Sequence, residues 1–300
     1  MTSQMDDRII DAHIHVWSKD QAQYPLAPGF ENSDLWIPYY EPGDHLEMGK
    51  ALGVRRINFV QMTWYGTDHS YILDLIAQDP GHFVGTGIVP AVTDIDAGSP
   101  AKTMVALSRG GIYAFRVRGG NSRPSLGEDK PQWLEHPGYH EMFEAGSKHK
   151  LAISFLMEPS DIPEVSRMCE LYPNTPVIVD HLSRIGADGT IRDDEITKLC
   201  NLSKHRNILV KIGPFNHLGS KVKPYLDVLP LIEKVIKSFG PERCMWESDS
   251  PALRPGNYHA DPSEDFKACL ALIQDHADFL TASDKDEVLF GAAERFFFDR

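Results

Sequence analysis

Eight short runs of apolar residues, each followed by a stretch with helical spacing, most restrict how this chain of 300 residues can fold. The runs cover residues 8–15, 56–61, 83–89, 111–117, 151–157, 176–181, 207–212 and 243–249. They are rich in Val, Ile and Phe and mostly continuous, a pattern typical of strands buried on both faces. The helical stretches cover residues 42–52, 70–77, 100–108, 139–148, 161–171, 193–203, 224–239 and 261–277. This alternation predicts an α/β fold, a closed (β/α)8 TIM barrel.

A doubly wound open sheet is the alternative fold for strands that alternate with helices. Such sheets often carry a glycine-rich phosphate loop, either G-x-G-x-x-G or G-x-x-x-x-G-K-[ST]. The chain has neither motif after a strand, which favours the barrel. No internal repeat or low-complexity linker divides the sequence, so residues 1–300 are predicted to form a single domain.

Residues 18–42 are the longest irregular segment of the chain, and they follow the first predicted strand. A segment in that position lies at the catalytic face of a barrel. Long loops at such faces commonly cover active sites. We therefore predict that this segment, which contains Tyr24, Phe30, Trp36, Tyr39 and Tyr40, forms an active-site lid.

The charge balance argues against nucleic acid and membranes as partners. The formal net charge is −13, and no block of basic residues is present. Polyanionic partners require the opposite sign. No apolar run approaches the ~20 residues of a membrane helix, and the first eight residues have no apolar signal core. We expect a cytoplasmic protein with a small-molecule substrate and four reduced cysteines. The sequence leaves open whether the protein forms a homo-oligomer.

The first strand carries the strongest local motif, Asp11-Ala12-His13-Ile14-His15. Side chains alternate between the two faces of a strand, so Asp11, His13 and His15 are predicted to share the inward face. Two imidazoles so placed can bind one divalent ion. The alternative is a pair of core histidines with satisfied hydrogen bonds. Their position at the end of the first barrel strand favours a metal-binding or catalytic role.

Two further strand ends carry polar residues, in Val177-Ile178-Val179-Asp180-His181 and Glu247-Ser248-Asp249-Ser250-Pro251. Barrel enzymes place their chemistry at the carboxyl ends of the strands. The alternatives are a loop histidine bonded to a carbonyl group and an aspartate that caps the next segment. Together with His13 and His15, His181 and Asp249 form either a metal-binding set or a metal-free acid/base set.

These three motifs resemble those of the amidohydrolase superfamily, in the same order along nearly the whole chain. The most similar branch hydrolyses lactones and includes 2-pyrone-4,6-dicarboxylate hydrolase and sugar-lactone hydrolases. The chain departs from the usual last-strand motif, because Glu247 replaces a glycine and Ser250 replaces a tryptophan. His217 stands where the dicarboxylate hydrolase has an arginine, and Leu156 where it has a tyrosine, so that substrate is not assigned.

The resemblance implies the roles of the site residues. His13, His15, His181 and Asp249 are the implied catalytic residues, and the same four side chains are the implied metal ligands. The implied substrate-binding residues are Arg116, Arg118, Arg123, Lys211, His217, Thr63, Trp64 and Trp36. No lysine or histidine ends the fourth or fifth strand as in binuclear relatives. We therefore expect at most one divalent ion, zinc or manganese, with metal-free operation left open.

Lactone hydrolysis is the predicted function, with a small, anionic organic acid as the substrate. Asp249 would take a proton from the attacking water, and the histidines would polarise the carbonyl group directly or through a metal. Non-oxidative decarboxylation of an aromatic or unsaturated acid is the alternative reaction, because the His-x-His motif does not separate the two. A non-catalytic binding barrel is the alternative from another class.

Overall fold

The computed structural model describes residues 8–94, 96–120, 133–251 and 262–300. Eight parallel strands form one sheet in chain order, from β1 to β8. The strands are β1 Ile9–Ile14, β2 Val54–Val60, β3 Phe83–Gly87, β4 Ile112–Arg118, β5 Ala152–Leu156, β6 Val177–Val179, β7 Ile208–Ile212 and β8 Cys244–Trp246. The helices are α1 Pro42–Gly49, α2 Ser70–Gln78, α3 Pro100–Ser108, α4 Pro137–His149, α5 Ile162–Leu171, α6 Asp193–Asn201, α7 Leu229–Phe239, α8 Ser263–Ala271 and α9 Ala282–Asp286. The predicted (β/α)8 barrel is confirmed.

The sheet closes between β1 and the segment that follows β8. The backbone N–H of Asp249 donates to the carbonyl oxygen of His13 at 2.9 Å, and that of His15 donates to Ser250 at 2.8 Å. Ile14 and Ser250 pair in parallel. Closure of the barrel therefore fixes Asp249 beside the strand that carries both histidines of the first motif.

The barrel interior consists of an apolar layer beneath a polar one. The apolar layer contains Ile10, Ala12, Val84, Ala114, Ala152, Ile178 and Met245, and it packs against Ala292, Ala293 and Phe297 near the C-terminus. Residues two positions apart on a strand share a face. The next inward position, on β4, β5 and β7 or directly after β6 and β8, is polar and buried in each case, namely Arg116, Ser154, Asp180, Lys211 and Glu247. This polar layer lies at the carboxyl ends of the strands and forms the base of the site.

The first strand breaks the regular alternation that the sequence predicts. Its register with β2 shifts between Asp11 and Ile14, as in a β-bulge. As a result Ala12 packs in the inner apolar layer, and the ring of His13 also faces the interior. The Asp11 carboxylate points away from them, with Oδ2 3.3 Å from Nε2 of His45 on α1. The prediction that Asp11 shares a face with His13 and His15 is therefore wrong.

The helix α7 begins later than its apolar periodicity predicts, at Leu229 rather than at residue 224. Pro230 explains the difference, because proline is tolerated in the first turn of a helix but not in its interior. The buried face of α7 comprises Leu231, Ile232, Val235, Ile236 and Phe239, which join the outer core between helices and sheet. In the part of the chain that the structure describes, no helix has the length and hydropathy to span a bilayer.

Candidate active site

A cavity of about 810 Å3 lies at the carboxyl ends of the strands. Four of its lining residues come from strands β1, β4, β6 and β8 or directly after them: His15, Arg116, His181 and Asp249. Phe30, Asp34 and Trp36 of the 18–42 segment contribute to the wall. The arrangement is consistent with a lid, although the closing movement itself stays a prediction.

Asp180 holds two cations together beneath the cavity. Its carboxylate accepts hydrogen bonds from Arg116 Nη2 at 3.1 Å and from Ser154 Oγ at 3.0 Å, and Lys211 Nζ lies 3.1 Å away. Burial alone would raise the pKa of Asp180, but the charges of Lys211 and Arg116 lower it to about 2. Lys211 is fully buried and does not line the cavity, so it is placed to balance Asp180 rather than to contact a substrate.

His13 lies between the two cations and beneath the cavity. Its Nδ1 is 3.1 Å from Lys211 Nζ, and its Nε2 is 2.9 Å from Arg116 Nη2. Burial and the charges of Lys211 and Arg116 hold the pKa of His13 well below its usual range. A neutral imidazole at this position keeps a lone pair for a proton or a metal.

His181 is held by a carboxylate from the end of β8, the second strand along the sheet from β6. Glu247 Oε1 lies 2.7 Å from His181 Nδ1 and accepts the His181 backbone N–H at 3.0 Å. Burial lowers the pKa of His181, but the negative charges of Glu247 and Asp249 outweigh it and raise that pKa above the usual value. His181 is therefore more basic than the buried His13.

Asp249 offers an ionised carboxylate at the base of the cavity. Its Oδ1 lies 3.2 Å from His15 Nε2 and 3.4 Å from His13 Nε2. Burial would raise the pKa of Asp249, yet the nearby charges of His181 and His15 hold it well below its usual range. A carboxylate that stays ionised can accept a proton from water at neutral pH.

Three atoms at this point match the donor set of a divalent cation. His13 Nε2 and His15 Nε2 are 3.3 Å apart, and Asp249 Oδ1 lies within 3.4 Å of both. Ligands about 2.1 Å from a tetrahedral ion are separated by roughly 3.4 Å. The buried Asp249 Oδ1 forms no hydrogen bond with the described residues, so it has a lone pair available to coordinate a cation. The residues present therefore fit one zinc or manganese ion.

His181 does not belong to this donor set, although the sequence predicts it as a fourth ligand. It groups instead with His13 and Glu247. That second group already contacts a cation, because Lys211 Nζ lies 3.1 Å from His13 Nδ1. The Arg116 guanidinium, 2.9 Å from His13 Nε2, also adds positive charge beside the first set. Both observations favour a mononuclear metal site over a binuclear one, and neighbouring positive charge lowers the affinity of that site for a cation.

Most of the predicted substrate-binding residues line the cavity. They are Arg116, Arg118, His217, Thr63, Trp64 and Trp36. Arg123 lies outside the residues that the structure describes. Sequence reasoning missed Arg184 and Lys221, which also line the cavity. Arg184 comes three residues after His181, and that position is the only signal that could have suggested it.

The fold and the site together define a barrel hydrolase of the amidohydrolase kind. The family profile of the amidohydrolases matches residues 10–298, so the chain belongs to this family. The sequence resemblance and the prediction of a hydrolase are confirmed at this level.

The proteins to which the chain is similar include a lactonase. The chain is 24% identical over 289 residues to an L-fucono-1,5-lactonase from Burkholderia ambifaria, a match that covers 94% of this chain and 92% of the relative. A Pseudomonas putida structure assigned as a 2-pyrone-4,6-dicarboxylic acid hydrolase superposes with a TM-score of 0.71 at 21% identity, covering 98% of each chain. A 5-carboxyvanillate decarboxylase from Sphingomonas paucimobilis gives 0.64 at 14% identity, covering 97% and 98%. At these identities the two structures establish the fold alone.

Proposed function

We propose that the protein hydrolyses the ring ester of a small, anionic lactone and releases the corresponding hydroxy acid. The observation that carries this proposal is the ionised Asp249 carboxylate at the base of the cavity, with one oxygen between two imidazoles. The similarity to an L-fucono-1,5-lactonase supports a lactone rather than an amide as the substrate.

Asp249 acts as the general base in this proposal. It removes a proton from a water molecule while the water oxygen adds to the lactone carbonyl carbon. The lowered pKa of Asp249 keeps the carboxylate available over the neutral range. His15, whose Nδ1 contacts the Val60 carbonyl at 2.8 Å, is held by this bond with Nε2 next to Asp249.

Arg116 and His181 stabilise the oxygen of the tetrahedral intermediate, because both line the cavity and both carry N–H donors. The ring C–O bond then breaks, and the leaving alkoxide takes a proton from protonated His181. The raised pKa of His181 suits this role, since an acid must still hold its proton at the working pH. A bound divalent ion, held by His13, His15 and Asp249, would supply Lewis acidity to the same carbonyl oxygen.

The charge of the cavity favours an anionic substrate. Arg116, Arg118, Arg184 and Lys221 line it, against the two carboxylates Asp34 and Asp249. Arg116 and Arg184 also pair with Asp180 and Glu158, but four cationic side chains around one cavity contrast with the net charge of −13 of the chain. Arginine binds carboxylates through paired N–H donors, so a carboxylate on the lactone is the group that this wall recognises best.

The test is a panel of matched lactones with and without a carboxylate, followed by pH change and by detection of the hydroxy acid. We expect kcat/KM to be at least ~10-fold higher for the carboxylated member of a pair, the equivalent of one charge-assisted hydrogen bond. Preference for neutral sugar lactones would contradict the anionic class. Carbon dioxide release from unsaturated acids without lactone hydrolysis would replace the proposal by decarboxylation.

A further inference from the structure

Glu247 is a buried carboxylate that the hydrolytic steps above do not use. Its side chain has no exposed surface, and its Oε1 accepts the backbone N–H of His181 at 3.0 Å and contacts the ring Nδ1 at 2.7 Å. One oxygen thus contacts both the main chain and the ring of the same residue. Such a double contact fixes the backbone and the ring orientation of His181 together.

The backbone that Glu247 holds is strained. His181, Leu182, Ser183 and Arg184 have φ values of 55°, 51°, 54° and 58° in succession. Left-handed conformations are unfavourable for L-residues, so the surrounding structure must hold this turn in place. His181 opens the turn and Arg184 ends it, and both line the cavity.

The contact also determines which ring nitrogen of His181 carries the proton when the ring is neutral. Oε1 already accepts the backbone N–H of His181, so it presents an acceptor to the ring as well, and Nδ1 must be the donor. The lone pair is then on Nε2, the nitrogen free to take up a proton or to face a reacting group. A second-shell acceptor commonly sets a histidine tautomer in this way.

The sequence makes room for Glu247 at one position on the neighbouring strand. A Cβ atom at Gly213, directly after β7, would lie 2.2 Å from the Glu247 carbonyl oxygen and 2.8 Å from its Cγ. No real side chain tolerates those distances. The missing side chain of Gly213 therefore leaves the space that the backbone carbonyl and Cγ of Glu247 occupy.

We propose that Glu247 is a positioning residue, which selects the Nδ1–H tautomer of His181 and anchors its left-handed turn. The effect on turnover rests on the function proposed above, because it acts through His181. The tautomer itself is a property of the unliganded protein, so a failure of the lactone proposal leaves this inference open to its own test.

Two variants separate the position of the acceptor from its charge. Glu247→Gln keeps an acceptor oxygen at the same distance and loses the charge. Glu247→Asp keeps the charge and withdraws the oxygen by about one C–C bond length, ~1.5 Å. Glu164→Gln is the matched control, since Glu164 is equally a buried, hydrogen-bonded glutamate, but its partners Leu134 and Arg167 do not line the cavity, whereas His181 does.

The measurement is a long-range 1H–15N correlation spectrum of the histidine rings at alkaline pH, with His181 assigned from His181→Asn. We expect wild type, Glu247→Gln and Glu164→Gln to show His181 as the single Nδ1–H tautomer. Glu247→Asp should show a mixture of tautomers, with kcat lowered at least ~10-fold and KM changed little.

Each other result overturns the proposal. If Glu247→Asp keeps the wild-type tautomer and Glu247→Gln loses it, the charge and not the position of the acceptor is what matters. If neither variant changes the tautomer, Glu247 does not select it, and the contact of its Oε2 with His13 Nδ1 at 2.9 Å would be left as its polar role. Should Glu247→Asp fail to fold, a mixed tautomer in the nearly isosteric Glu247→Gln would be enough to reject the assignment, and a single Nδ1–H tautomer would support it.

Discussion

Asp249 and His181, which both line the cavity, share a left-handed backbone conformation that is uncommon for L-residues. Both have a φ of 55°. Strained residues of this kind cluster at functional sites, where the fold over-determines them. Here Asp249 is tied to β1 through its N–H bond to His13, and His181 is tied to Glu247. Both residues are thus held by hydrogen bonds to the ends of other strands.

The first residue-scale prediction concerns the base. Asp249→Asn keeps the shape of the side chain and removes its ability to take a proton. We expect an intact fold by circular dichroism and a kcat lowered by at least ~10²-fold, the usual contribution of a positioned base. Asp194→Asn, at an exposed aspartate of α6 that pairs with Lys198, should leave kcat unchanged. Near-normal turnover by Asp249→Asn would move the base elsewhere.

A pH profile tests the acid at the same scale. The pKa of His181 is raised, since Glu247 and Asp249 outweigh the effect of burial. The proton that His181 must donate is present below that pKa and lost above it. We therefore expect kcat/KM to decline only at a pH above the ordinary histidine value, and Glu247→Gln to shift this decline to lower pH. An alkaline limb that Glu247→Gln does not move would contradict the assignment.

The strands show which parts of the site could be predicted from sequence. The sequence predicts that His13, His15, His181 and Asp249 lie together, because polar residues at the ends of the apolar runs gather at one end of a barrel, and the structure brings them there; their catalytic roles stay a proposal. The orientation of Asp11 was not found, because a bulge cancels the two-residue period on which that prediction relied. The bond from Glu247 to His181 joins residues 66 positions apart and exists only after β6 and β8 are placed by closure.

Gly213 provides an element-scale prediction at the carboxyl end of β7. In Gly213→Ala the new methyl group would lie 2.2 Å from the Glu247 carbonyl oxygen, so the β7 and β8 ends must separate. We expect a loss of about 1–3 kcal/mol in unfolding free energy, the usual cost of overpacking, measured by urea denaturation. Gly43→Ala on α1 is the control, because its Cβ meets nothing within 4 Å and alanine favours helix. Equal stabilities would argue against the tight packing around Glu247.

The candidate metal site gives a second prediction at this scale, because its residues join β1 to the segment after β8. Arg116 Nη2 lies 2.9 Å from His13 Nε2, so its charge opposes a cation bound there. Arg116→Met should tighten zinc binding at least ~10-fold, about 1.4 kcal/mol, by isothermal titration. His15→Asn should weaken binding, and the exposed Arg192→Met should not alter it. Unchanged affinity in Arg116→Met would place the ion elsewhere or nowhere.

At the scale of the whole molecule, the two cores give the site its rigid base. The inner apolar layer is covered by Ala292, Ala293 and Phe297 at one end, and the polar layer covers it at the other. The outer core runs continuously under the helices. A barrel whose last strand segment closes on its first cannot lose one strand without opening the site. We therefore expect the described fold to unfold as a unit, with the buried side chains inaccessible until then.

The reactivity of the four cysteines tests whether the described fold unfolds as a unit. Cys169, Cys244 and Cys269 are buried and Cys200 is half-buried, and all four are free thiols. Burial raises the pKa of Cys169 to about 12 and that of Cys244 further, so little thiolate exists at neutral pH. With an aromatic disulfide reagent we expect Cys200 to react in the native protein and the other three only across the urea unfolding transition. Cys200→Ser should make the native protein unreactive. Rapid modification of a buried thiol in the native protein would instead indicate local opening between the helices and the barrel. Separate unfolding transitions for the three buried cysteines would contradict unfolding as a unit.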